Sequence, residues 1–262
     1  MTKLRILENK TVAEDYFLLK LHAPELLTST KPGQFLNLRL NQSESFDPLL
    51  RRPLSIHDLD QEAESIDLLY RIVGRGTKLL STYQKDMELD VLGPLGSGFT
   101  TDFKDKEIMI IGGGMGIAPL LFLARQLSGE NNLTVIIGGN NADDINYFCQ
   151  KFQQFDLDLK VATIDGSRDF CGNTVELWQE SKKFDIDYLY SCGPGAMLEG
   201  VQQVALKQQI NGEVSLEERM GCGIGLCLSC VCESKNGNQR VCKEGPVFPL
   251  EEIVFRDERC EL

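Results

Sequence analysis

Five cysteines fall within 21 residues of this chain: Cys222, Cys227, Cys230, Cys232 and Cys242. Cys222, Cys227, Cys230 and Cys242 form the series C-x4-C-x2-C-x11-C, whose first three positions carry the plant-type [2Fe–2S] spacing. Four thiolates must wrap a small anionic core, and the bridging sulfides need backbone N–H donors. Gly221, Gly223 and Gly225 let the loop curl so that its amides face inward. A structural zinc site is the alternative, but zinc knuckles supply two close cysteine pairs and only Cys227/Cys230 makes one here. Cys232 completes no such series and is left out of the ligand set. Cys149, Cys171 and Cys260 have no partner pattern and read as ordinary thiols. In a reducing compartment clustered cysteines serve metal or redox chemistry rather than disulfides.

The 262 residues are enough for two domains and a short extra module. Short apolar segments separated by turn residues fill the first 98 positions: Leu4–Asn9, Asp15–Leu21, Gln34–Leu40, Leu54–Asp58, Ser65–Val73 and Met87–Val91. Six such strands predict a small antiparallel barrel, interrupted by a helix over Gly76–Gln84. The run Gly93-Pro94-Leu95-Gly96-Ser97-Gly98 reads as a domain junction. From Lys106 strands and helices alternate, the signature of a parallel sheet covered on both faces. A hairpin is predicted at Lys235–Asn238, where Asn-Gly signals a tight turn. The expected architecture is therefore β plus α/β: a barrel over 1–98, a nucleotide-binding α/β domain over 99–212 and a cluster module over 213–262.

Charge removes one class of function. There are 27 basic against 39 acidic residues, a net charge of −12, and no basic block, so a nucleic-acid partner is not expected. The opening MTKLRILENK has no apolar stretch of the kind a signal peptide carries. The uncharged run Ile108–Ala124 is shorter than the roughly 20 residues a span needs and holds several glycines. A cytoplasmic protein is expected.

Two further motifs suit phosphates. Ile110-Ile-Gly-Gly-Gly-Met-Gly-Ile-Ala-Pro119 follows a buried strand and opens a helix, as a glycine turn does where phosphates approach helix N-terminal amides. It is not the dinucleotide fingerprint, and a tight structural turn is its alternative. Arg51-Arg-Pro-Leu-Ser55, with Gly76-Thr77 at a helix start, would suit a pyrophosphate, although a solvated arginine pair reads as easily.

Together the arginine motif, Gly76-Thr77, the glycine turn and Cys192-Gly-Pro194 resemble the ferredoxin–NADP reductase superfamily over about the first 210 residues. With the cysteine module added, the whole chain resembles the electron-transfer subunits of B-type, NAD-dependent bacterial dihydroorotate dehydrogenases. The resemblance implies FAD on Arg52, Pro53, Leu54 and Ser55, with Leu69, Tyr70 and Arg71 along its ribityl and phosphate region and Gly76 and Thr77 at its pyrophosphate. It implies Gly112, Gly113, Gly114 and Gly116 at the nicotinamide nucleotide and Cys192 and Gly193 beside the nicotinamide; the sequence itself shows no acid–base pair for proton abstraction from a carbon substrate, so no catalytic residue is expected. Leu54 departs from the aromatic residue common in the superfamily. Asp143 and Asp144, with nothing basic nearby, favour NAD over NADP, although acids also suit a solvated helix start.

A nicotinamide exchanges two electrons as a hydride and a [2Fe–2S] cluster passes one; a flavin does both. The expectation is a path joining cluster, FAD and nicotinamide, with His22 and His57 structural. The resemblance implies an FMN-containing dihydroorotate dehydrogenase subunit as partner, in a heterotetramer, with Ile224, Leu226 and Leu228 either docking it or packing the loop. The small subunit of an NADH-dependent ferredoxin–NADP oxidoreductase, or a zinc-stabilised nucleotide-binding regulator, are the rival readings.

Overall fold

Leu4, Leu19, Leu36, Leu38, Ile56 and Leu68 turn inward from extended segments and fill one apolar interior, because side chains alternate sides along a strand. The segments are β1 (Thr2–Ala13), β2 (Tyr16–His22), β3 (Phe35–Arg39), β4 (Arg52–Asp60), β5 (Ser65–Arg71) and β6 (Glu88–Leu95). They close the antiparallel six-stranded barrel that the pattern predicts, in the order β1-β2-β5-β4-β3-β6. The computed structural model describes residues 2–40, 47–181 and 185–255, so Cys260 lies outside the described residues.

Three differences from expectation have local causes. β1 runs on past Asn9 because Lys10, Thr11 and Ala13 keep their pairing with β2. β6 continues through Gly93-Pro94-Leu95 instead of breaking there; an irregularity in its ladder with β3 accommodates a proline that has no N–H to donate. The helix α1 (Arg75–Leu80) stops short of Gln84. There Ser81 and Thr82 hydroxyls donate to the carbonyls of Lys78 and Leu79, offering the backbone a non-helical alternative.

The second unit alternates as predicted: β7 (Glu107–Gly113), α2 (Leu120–Leu127), β8 (Asn132–Gly139), α3 (Ala142–Phe152), β9 (Asp158–Thr163), β10 (Phe170–Cys171), α4 (Thr174–Glu180), β11 (Tyr188–Cys192), α5 (Gly195–Gln208) and β12 (Gly212–Ser215). A hairpin follows, β13 (Val231–Ser234) and β14 (Gly237–Arg240), and then β15 (Val247–Pro249). The sheet order is β10-β9-β8-β7-β11-β12-β15, parallel except for β15, which pairs antiparallel with β12. β10 and β15, two and three residues long, are too short to leave a periodic signal.

Two further cores hold the parts together. Tyr16, Leu18 and Leu69 on the outside of the barrel pack with α2 and α3. On the other sheet face Phe35, Met109, Ile111 and Val214 share a core with Cys230, Val241, Cys242 and Phe248. Among the described residues no helix is long and apolar enough to cross a membrane.

Candidate functional site

The sheet order reverses between β7 and β11: β8 and β9 lie to one side of β7, and β11 and β12 to the other. Open parallel sheets bind ligands at such a reversal, outside the carboxyl ends of the strands. Here those ends are Gly112-Gly113 and Cys192, paired across the ladder. Gly114–Ile117 makes a tight 3-10 turn before α2, which begins at Leu120. A Cβ added at Gly116 would fall 2.5 Å from the Gly193 backbone, so the two predicted loops lie in direct contact.

A cavity of about 360 Å³ opens at this point. Its walls include Pro53 and Ser55 from β4, Met115, Gly116 and Pro119 from the turn, Cys192 from β11, and residues 215–220 leading toward the first cysteine of the cluster loop. Glu217 was not singled out in the sequence, which offers no motif for it. Its side chain stands exposed at the cavity wall, and the surrounding protein raises its carboxyl above the usual range. Burial, with Glu217 nearby, pushes the Cys192 thiol up to about 12, and a hydrogen bond with Ser215 acts against this.

The arginine motif divides its work. Arg51 donates to the Asp90 carboxylate at 2.8 Å and to the carbonyls of Asn37 and Asp90, which fixes the barrel. Arg52 Nη1 donates to Leu50 O at 2.6 Å, and its guanidinium lies against Gly76: a Cβ there would fall 2.4 Å from Arg52 Nε. Arg52 and the start of α1 thus form a cradle that a side chain at 76 would fill, suited to a pyrophosphate. Thr77 Oγ1 accepts from Val73 N and Gly74 N and donates to Gly74 O, closing its own loop.

Not every predicted side chain faces this site. Leu54 and Tyr70 turn into the barrel core, and Tyr70 donates its hydroxyl to Asn9 Oδ1 at 3.0 Å. Leu69 packs in the joint with α2 and α3, and the Arg71 guanidinium lies 5.5 Å from the centre of the Tyr16 ring. Pro53 and Ser55 are the residues of this strand that line the cavity.

In the cysteine loop the four sulfurs fall into two pairs. Cys222 N–H donates to Cys227 Sγ at 3.3 Å and Cys227 N–H donates to Cys222 Sγ at 3.4 Å. Cys242 N–H donates to Cys230 Sγ at 3.4 Å. The amides of Ile224 and Leu226 also point at Cys222 Sγ, and that of Gly225 at Cys242 Sγ at 3.1 Å. Hydrogen bonds from Ser229 and from the Cys222 and Ser229 backbone hold the Cys227 thiol down at about 6, which favours a thiolate ligand. This donor set fits a [2Fe–2S] cluster.

One pair is inside and one outside. Cys230 and Cys242 are buried, Cys222 is half-buried and Cys227 exposed. Beside the outer pair Ile224, Leu226 and Leu228 are 44%, 78% and 63% exposed, so they do not pack the loop onto the protein. Cys232, half-buried on β13, packs against the shared core, and burial raises its thiol to about 11.

Residues 217–254 match the iron–sulfur cluster binding domain of dihydroorotate dehydrogenase B. The chain is 39% identical over 261 residues to the dihydroorotate dehydrogenase B (NAD+) electron transfer subunit of Shouchella clausii, covering 97% of this chain and 98% of that one. It is 37% identical to that of Bacillus cereus, with 95% and 97% covered. Among solved structures, an NADH-dependent reduced ferredoxin–NADP oxidoreductase, studied for flavin-based electron bifurcation, superposes with a TM-score of 0.80 at 26% identity, covering 97% of this chain and 91% of that one. A ferredoxin–NADP+ reductase from Neisseria gonorrhoeae, with bound FAD and NADP, shares the fold at a TM-score of 0.64 and 17% identity, with 79% and 90% covered.

Proposed function

The chain belongs to the family of dihydroorotate dehydrogenase B electron transfer subunits, and from that premise we propose that Cys222, Cys227, Cys230 and Cys242 hold its [2Fe–2S] cluster, that Arg52–Ser55 and Gly76–Thr77 seat its FAD, and that Gly112–Gly116 with Cys192–Gly193 receive NAD(H). It is an NAD-linked oxidoreductase subunit, and dihydroorotate oxidation takes place on a catalytic partner subunit. In this reading the partner carries FMN and the complex contains two copies of each subunit. The exposed Ile224, Leu226 and Leu228 beside the outer cysteine pair support contact with the partner there.

Bound in these seats, FAD supplies the exchange between hydride and one-electron chemistry, and the cluster supplies one-electron carriage. The chain's own residues bind and orient. Arg52 brings positive charge to the pyrophosphate seat, Pro53 and Ser55 form the barrel wall of the cavity, and Gly116 and Cys192 form the opposite wall. The amides of the cysteine loop offset the negative charge gathered on its sulfurs.

The observation that carries this reading is the convergence at one cavity of the arginine-motif strand, the sheet's reversal point and the segment entering the cysteine loop. An anaerobic visible spectrum tests it: flavin bands with a broad iron–sulfur shoulder, both bleached by NADH, are expected. A colourless protein containing zinc would refute it. Co-purification with a dihydroorotate-oxidising subunit is expected; exclusive association with a ferredoxin-dependent subunit would favour the bifurcating oxidoreductase that the 26% structural match raises.

A further inference from the structure

Asn37 stands where the barrel meets the cysteine loop. It is polar yet only 1% exposed. Leu36 and Leu38 on either side fill the barrel interior, so Phe35 and Asn37 face outward. Across the ladder Phe35 pairs with Ser55 and Asn37 with Pro53, and Phe35, Ser55 and Pro53 all line the cavity. Asn37 therefore shares the outer barrel face with the strand assigned to the flavin.

The cysteine loop approaches from the other side. Asn37 Nδ2 donates to the Cys222 carbonyl at 3.5 Å. A Cβ on Gly223 would fall 2.4 Å from that same nitrogen. Gly223 has φ +72°, so glycine serves both the turn and the close approach. Behind Asn37, its own carbonyl accepts from Arg51 Nη1 at 3.2 Å. Its Oδ1 is buried and has no hydrogen-bond partner among the described residues. A buried acceptor left unpaired costs stability, so packing alone would favour leucine, which has nearly the same shape.

We propose that Asn37 is a positioning residue that ties the flavin strand to the cysteine loop, fixing the Cys222 side of the cluster relative to FAD and easing reduction of the cluster. The inference rests on the assignment of a [2Fe–2S] cluster to this loop. The amide N–H draws negative charge from the Cys222 peptide, next to the group that gains an electron. Hydrogen bonding and local charge set the potentials of such clusters.

The test is Asn37→Leu in the full chain, read by iron and flavin content, thermal unfolding, the EPR spectrum of the reduced cluster and its midpoint potential. Iron and FAD are expected at wild-type content, with thermal stability unchanged or raised. The EPR g-values are expected to move and the cluster potential to become more negative, while the flavin potential stays in place. Should the leucine variant fail to accumulate, Asn37→Ala is read by the same measurements. An unchanged EPR spectrum and potential would overturn the inference and leave Asn37 as filler. A wild-type protein with no iron–sulfur EPR signal would overturn the functional reading and this inference with it.

Discussion

His57 Nδ1 donates to the Ala118 carbonyl at 2.7 Å, across the joint between β4 and the turn leading into α2. A carbonyl can only accept, so the proton sits on Nδ1. Nε2 is then the acceptor, with the Tyr147 hydroxyl 3.3 Å away. The ring is wholly enclosed, and burial holds its pKa down at about 4.

That value makes the joint acid-sensitive. An unfolded histidine titrates near 6.5, so between about 6.5 and about 4 the unfolded chain binds a proton that the folded chain refuses. The histidine's contribution is complete above 6.5, declines as pH falls through the window and levels off below it. The total loss is on the order of 3 kcal/mol. His57→Asn keeps a donor in the δ position and should flatten this part of the profile. Thermal unfolding of both proteins from pH 4 to 8 checks it; parallel profiles would contradict the assignment.

Arg52 and Gly76 should act on one ligand from two sides. Arg52→Ala is expected to weaken FAD binding roughly 10- to 100-fold, the range for losing a hydrogen bond to a charged group. Arg52→Lys should fall between, since an ammonium lacks the planar fork. Gly76→Ala should weaken FAD as well, by driving a methyl group into the guanidinium. Flavin fluorescence on titration of deflavinated protein measures all three, with [2Fe–2S] absorbance unchanged.

The cysteines divide into ligands and bystanders. Serine at Cys222, Cys227, Cys230 or Cys242 should abolish or bleach the iron–sulfur absorbance while FAD is retained. Cys230→Ser and Cys242→Ser should also lower the melting temperature, because those side chains belong to the shared core. Cys232→Ser should keep full iron content. Iron analysis beside thermal unfolding separates the groups, and loss of iron from Cys232→Ser would revise the ligand set.

Nucleotide choice should follow the acids after β8. Asp144 accepts from Asn140 N and Nδ2 at 3.2 and 3.0 Å, which fixes one carboxylate at the strand's end beside the exposed Asp143. NADH is expected to reduce the flavin roughly ten- to a hundredfold faster than NADPH at equal concentration. Asp143→Arg should narrow the gap. Stopped-flow flavin bleaching with each nucleotide decides; equal rates in the wild type would remove any role for these acids.

The sequence revealed what depends on local periodicity and on fixed spacing. The six barrel strands, the alternation after Lys106 and the cysteine series are each carried by residues close together in the chain. Contacts made only in the folded molecule were hidden. Glu217 belongs to no motif and matters because β12 delivers it to a cavity walled by three other segments. Asn37 looks like a polar interruption in Phe-Leu-Asn-Leu until the loop nearly two hundred residues later closes on it. Leu54 and Tyr70 sit in motif positions, but strand alternation turns both inward, and the motif alone does not give the phase.

β15 closes the parallel sheet with a strand taken from the far side of the cysteine loop. Cutting the chain before that loop would bare the hydrogen-bonding edge of β12 and strip Phe248 and Leu250 from the core. The module is therefore no detachable cassette. A truncated enzyme made to isolate the flavin and nucleotide halves would be prone to aggregate, and engineering that exchanges the cluster must carry residues 247–250 along or supply another cover for the sheet.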